Sequence, residues 1–236
     1  MNRESIHSFD LTSNQLKLLA IVSMVVDHTG AVLFPQYRLL RLIGRAAFPI
    51  YVFLLVEGFF HTHSRPKYLL RLSVFALISE VPFDLALYSQ AFNGYRCNVF
   101  FTLAIGMVLM MLADKLVQSP PASPKELPQA LFAVALLMGC FCLADWLKTD
   151  YGAAGVLAIG AGYCLARIGL QGGIVFAGIV AALATQKPIE AWAFAALPFV
   201  LCYHGSPGRR NKALQYFFYA FYPAHLLVLY LIAVRG

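Results

Sequence analysis

Almost the whole chain divides into apolar runs that are long enough, as helices, to cross a bilayer. A helical span needs roughly 20 apolar residues at about 1.5 Å of rise each. About nine such runs stand out by this measure, at 16–34, 43–62, 68–88, 98–117, 128–147, 152–168, 172–185, 189–203 and 216–234. The first five and the last are full-length spans. The three between 152 and 203 are short and rich in Gly and Ala, so tilted or re-entrant segments are open, and eight crossings is the alternative to nine. Small residues let helix backbones approach closely in lipid.

Composition agrees with that reading. Of 236 residues, 60% are hydrophobic and only 12% charged, about half the charged share of an ordinary soluble domain. Water could not solvate such a surface. The expected fold is an all-α polytopic transmembrane helical bundle, a single integral membrane domain over 1–236. Its longest polar stretch is a Pro/Ser-rich loop near 118–127 (QSPPASPKEL). The first 15 residues are polar and no small-residue cleavage site follows the first apolar run, which is therefore expected to persist as the first span. Cys97, Cys140, Cys142, Cys164 and Cys202 form no CxxC pair, so neither a disulfide framework nor a metal site is expected.

The net charge of +7 reads as a topology signal and not as affinity for nucleic acid. With nine spans and the amino terminus inside, about eleven of the 18 basic residues lie inside. Three of those left outside cluster as Arg38, Arg41 and Arg45.

Ionisable groups inside a span are costly and are functional candidates for that reason. Asp27 and His28 fall in the outer half of the first span, and Arg45 begins the second. Glu57 and His61 lie one turn apart near its inner end. Glu80 and Asp84 share a face of the third span, with Pro82 between them, and Asn98 and Thr102 share a face of the fourth. Asp145, Asp150 and Tyr151 cluster at the outer end of the fifth span, and Tyr222 and His225 lie mid-depth in the last, flanking Pro223. Most of these groups are expected to line one polar cavity opening outward. Such a cavity suits general-base chemistry, with a histidine as base and a carboxylate to orient it. Both His28 and His225 are candidates. The adjacency of Asp27 favours His28, although neighbours on a helix diverge by about 100°.

Several of these segments together resemble the TraX family. They are LKLLAIVSMVVDHTGAVLFP (16–35), LRLIGRAAFPIYVFLLVEGFFHT (40–62), KYLLRLSVFALISEVPFDLALY (67–88), NVFFTLAIG (98–106), DYGAAGVL (150–157) and FYPAHLLVLYL (221–231). The DH pair and the GRxAFP, SExPFD and NVFFT elements are specific in combination, whereas 118–147 and 158–215 carry little of the pattern. The resemblance implies a multi-span acetyltransferase of a bacterial inner membrane. It would move an acetyl group from acetyl-CoA, as co-substrate and without a metal, to an amine or hydroxyl acceptor that includes the pilin amino terminus. Membrane lipid is the other expected partner. Arg65, Lys67, Arg71 and the 209–212 cluster are expected to meet the donor's phosphates at the inner face. Two other classes stay open on the residues alone: a proton-coupled carrier, since intramembrane acids and histidines also build relays, and a non-catalytic membrane assembly factor.

Overall fold

A computed structural model describes residues 10–118, 127–209 and 211–235. The expected loop at 118–127 thus lies, save its two end residues, outside the described residues, as does Arg210 of the 209–212 cluster. The described chain is helical: α1 (Ser13–Val32), α2 (Arg38–Gly44), α3 (Ala47–His61), α4 (Arg65–Tyr88), α5 (Val99–Gln118), α6 (Leu127–Trp146), α7 (Gly152–Arg167), α8 (Gly172–Gln186), a 3-10 segment (Pro188–Ala196), α9 (Leu197–Leu201) and α10 (Lys212–Arg235).

Local sequence sets these boundaries. Thr12 accepts from the Gln15 amide while the Gln15 side chain returns to the Thr12 amide, a reciprocal cap that starts α1. Ser64 caps α4 with a proline in the first turn. Ser89 ends that helix in the left-handed region at φ 56°. Two single β-bridges, Leu11 to Tyr203 and Cys97 to Thr149, tie loops together at opposite ends of the bundle. We call these the proximal end, where α1, α4 and α10 begin, and the distal end, where those three helices finish.

Helix α3 forms the centre. Val52, Phe53, Leu55, Val56 and Phe59 are almost fully buried there, packed among α1, α5, α7 and α8. Helix α6 is the opposite case. Its mean hydropathy of 2.1 is the highest among the long helices, yet only 11% of it is buried in the protein. Leu131, Phe132, Leu136 and Met138 point outward. A helix apolar on every side and uncovered by protein needs lipid around it.

Among the described residues, five helical stretches are long and apolar enough to cross a membrane: α1, α2 with α3, α5, α6 and α10. Helix α4, with 24 residues, has the length. Its charged residues, among them Arg65, Lys67, Arg71, Glu80 and Asp84, keep it out of that apolar class. The expected eighth helix at 189–203 is largely a 3-10 segment that passes into the five residues of α9. A 3-10 helix rises about 2.0 Å per residue, so the 14 residues of Pro188–Leu201 reach roughly 25 Å, where an α-helix would reach about 21 Å. The tighter coil lets a short segment return from the distal to the proximal end.

Candidate active site

A cavity of about 600 Å³ lies among α1, α3, α4, α5 and α10. On α1 its wall runs from Ser13 to Ala31, roughly 27 Å at about 1.5 Å per residue. It therefore extends through most of the bundle instead of opening at one end only. Eight of the residues expected from sequence line it: Asp27, His28, Arg45, Glu57, His61, Asp150, Tyr151 and Tyr222. Glu80, Asp84, Asn98 and Thr102 do not, and His225 stands behind the wall.

The first and last helices meet at His28 and His225. His28 Nδ1 and His225 Nε2 are 2.7 Å apart. His225 Nδ1 is 2.9 Å from the Phe221 carbonyl oxygen. A carbonyl oxygen can only accept, so His225 carries its proton on Nδ1. Neutral His225 then accepts at Nε2, which fixes the His28 proton on Nδ1. The remaining lone pair, on His28 Nε2, belongs to the ring that lines the cavity, and no described residue hydrogen-bonds to it. The Tyr222 ring packs edge-on to His28 with centroids 6.0 Å apart, and its hydroxyl is buried without a partner.

Asp27 does not pair with His28. Consecutive helix residues point apart, and Asp27 turns to the arginines of α2. Arg41 reaches its Oδ2 at 2.5 Å, and Arg45 reaches its Oδ1 at 2.6 Å. Arg45 also holds Glu190 of the 3-10 segment at 2.9 Å, and Glu190 Oε2 is buried without a partner. Gly44 makes this approach possible, because any Cβ there would overlap the Asp27 side chain. The Arg38–Arg41–Arg45 cluster thus has two members committed to carboxylates at the distal end. Beside them, Arg96 lies 3.8 Å from Asp150. Burial pushes the Asp150 carboxyl up, with Arg96 and Arg45 opposing the shift. Tyr151 stacks on Phe48 at 3.6 Å.

The α4 and α5 polar residues have other tasks. Glu80 accepts from the Asn98 side chain at 2.5 Å and from its backbone amide at 3.1 Å. Asn98 Oδ1 caps the start of α5 through the Phe100 amide. Asp84 accepts from the Asn93 amide at 2.6 Å, and Thr102 is fully buried under Gly155. At the proximal end His61 is exposed and lies 3.5 Å from Glu57, which also accepts from the Tyr203 hydroxyl at 3.4 Å. Asp145 caps α7 through the Ala153 amide.

Two buried acids outside the expected set carry a sequence signal of the same kind. Asp114 and Glu190 are each the lone carboxylate in an apolar run, the kind of residue that intramembrane cost flags. Asp114 is 1% exposed and holds Arg65 at 2.6 Å and Arg167 at 2.9 Å. Arg65, expected at a phosphate entry, is thereby committed to a helix clamp. Among the described residues no group of His, Cys, Asp and Glu side chains is arranged to hold a metal ion.

Comparison with known proteins finds relatives over nearly the full chain. A family model described as TraX protein matches residues 12–233. The "Probable fimbrial assembly protein FimC, serogroup H1" of Dichelobacter nodosus is 28% identical, over 94% of this chain and 96% of that protein. "Protein TraX" of Escherichia coli K12 is 29% identical, over 93% of this chain and 86% of that protein. No solved structure matches. The chain belongs to the TraX family.

Proposed function

We propose that this protein is an integral membrane acyltransferase that moves an acetyl group from acetyl-CoA to an amine, with the amino terminus of a pilin-like protein as the acceptor class. The observation that carries this reading is the hydrogen-bonded chain from the Phe221 carbonyl through His225 to His28. It leaves one unprotonated imidazole nitrogen at the wall of a cavity long enough for two substrates to enter from opposite ends. One relative's name speaks of fimbrial assembly, which supports the choice of a pilin-like acceptor.

In the proposed reaction the acceptor nitrogen attacks the thioester carbonyl. His28 Nε2 takes the proton lost by the amine as the C–N bond forms. The imidazolium charge is shared along the Nδ1–His225–Phe221 chain. The Tyr222 hydroxyl, a donor without a partner, is suited to the carbonyl oxygen as it becomes negative. Collapse breaks the C–S bond, and the proton on His28 passes to the departing thiolate. The products are an amide and coenzyme A, with atoms and charge in balance. Asp27, fixed between Arg41 and Arg45, anchors α1 so that His28 keeps its register.

The test is to incubate the purified protein in detergent with acetyl-CoA and a peptide bearing a free α-amino group. Thiol release and peptide mass are then followed. Stoichiometric thiol and acetyl-peptide support the reading; no thiol release with any amine or hydroxyl acceptor overturns it. The membrane-long cavity also favours a carrier as second reading, which predicts solute or proton flux in liposomes without acyl transfer.

A further inference from the structure

The cavity's proximal half contains two cations that the proposed chemistry does not use. Lys17 and Arg71 both line it, and neither forms an ion pair among the described residues. Arg71 stands with its guanidinium 5.4 Å from the Tyr68 ring centroid. Its Nε is buried with no hydrogen-bond partner. An unpartnered guanidinium nitrogen inside a membrane protein carries a free-energy cost that an anionic ligand would remove. Lys17 Nζ lies 5.3 Å from the Phe218 ring centroid. Helices α1, α4 and α10 all begin at this end, so their amino-terminal dipoles add positive potential there.

Spacing connects these cations to His28. Lys17 and His28 are eleven residues apart on α1, close to three full turns, so they share a face about 16 Å apart. Met24, between them on the same face, also lines the cavity. An extended pantetheine arm has the backbone length of four to five peptide residues, about 15 Å. A thioester at His28 would therefore place the pyrophosphate of its carrier beside Lys17 and Arg71.

We propose that Lys17 and Arg71 form the phosphate subsite of the acyl donor, which enters from the proximal end with its pantetheine arm lying along α1. The assignment rests on the acyl-transfer reading for the identity of the donor. The acceptor then enters from the distal end, past Asp150 and Arg96.

Equilibrium binding of coenzyme A, pantetheine and inorganic pyrophosphate to the purified chain in neutral detergent tests this. Lys17→Gln and Arg71→Gln are each expected to weaken coenzyme A binding about tenfold or more, the scale of one lost charge-assisted hydrogen bond. Pantetheine binding should stay unchanged, and Arg71→Lys, which keeps a cation, should restore most of the loss. An unchanged coenzyme A affinity in both Gln variants overturns the subsite and leaves the acyl-transfer reading standing. Pyrophosphate binding that depends on Arg71, in a protein that ignores coenzyme A and transfers no acetyl group, keeps the anion site and removes its donor. A lipid phosphodiester offers the same chemistry. Short-chain phosphatidylglycerol that binds in an Arg71-dependent manner and more tightly than coenzyme A would overturn the assignment to the donor.

Discussion

The unprotonated nitrogen on His28 depends on a hydrogen-bond chain that no single helix could build. His225 Nδ1 donates to a carbonyl of its own helix, and that local bond dictates the tautomer of a residue 197 positions away. Removing the base and removing its partner should therefore differ. His28→Ala is expected to lower the acetyl-transfer rate by about 100-fold or more, the usual worth of a general base. It should also flatten the acidic limb of the pH–rate profile. His225→Ala should lower the rate while keeping an acidic limb at a shifted position, because the His28 ring remains. An acidic limb that survives unshifted in both variants would move the base to a carboxylate such as Asp150. Tyr222→Phe removes one oxyanion donor, so kcat is expected to fall by about 100-fold with KM for acetyl-CoA little changed. A wild-type kcat in that variant would make the hydroxyl a packing feature.

At the scale of elements, three polar clamps hold the helices around the cavity. Asp27 and Glu190 fasten α1 and the 3-10 segment to Arg45 at the end of α2. Glu80 and Asn98 join α4 to α5, and Asp114 on α5 joins the beginning of α4 to the end of α7. Removing one side of such a clamp leaves buried partners unsatisfied. Asp114→Asn is expected to cost about 2–3 kcal/mol, seen as a lower Tm in detergent with the pH profile of the remaining active protein unaltered. Glu80→Gln tests whether the α4 acids act in chemistry or in packing. The geometry predicts a lower Tm and a near-normal rate per folded molecule, and a tenfold rate loss without loss of stability would assign Glu80 to the reaction. Gly44→Ala should damage activity although glycine has no side chain to take part in the chemistry. Its Cβ would collide with Asp27, displacing α2 from α1 and His28 with it.

For the whole molecule, the consequence of alternating helices is a fixed relation between the two ends. Helix α1 begins at the proximal end and α10 finishes at the distal end. Tags placed before Ser13 and after Arg235 are therefore expected on opposite faces of the membrane, with the amino-terminal tag inside. Protease accessibility in sealed vesicles checks this, and tags on the same face would require one segment between Gly152 and Leu201 not to cross. On the proposed acyl-transfer reading, donor and acceptor would approach the cavity from opposite ends of the bundle. Such a transfer across the bilayer would need no large rearrangement of the bundle.

How much of this was legible beforehand follows from the reach of each force. The demand that backbone groups in lipid be satisfied within the segment acts locally. Composition and run length therefore determined a helical membrane protein, the positions of its helices other than α2 to within a few residues, and the short list of intramembrane polar groups that includes Asp27, His28, Tyr222 and His225. The combination of DH, GRxAFP, SExPFD and NVFFT determined the family. Pairing is not local. Adjacency in sequence pointed to Asp27 as the partner of His28, but a 100° turn between neighbours sends one to Arg41 and Arg45 and the other to His225. Glu80 and Asp84 read as cavity residues because cost alone marks a polar group without saying which neighbour satisfies it. The 3-10 form of Pro188–Ala196 answers to the distance it must bridge, which no residue within it records. Which helices lie side by side is set by packing across the whole bundle. Only the tertiary structure could decide which of the costly residues face one another and which face the cavity.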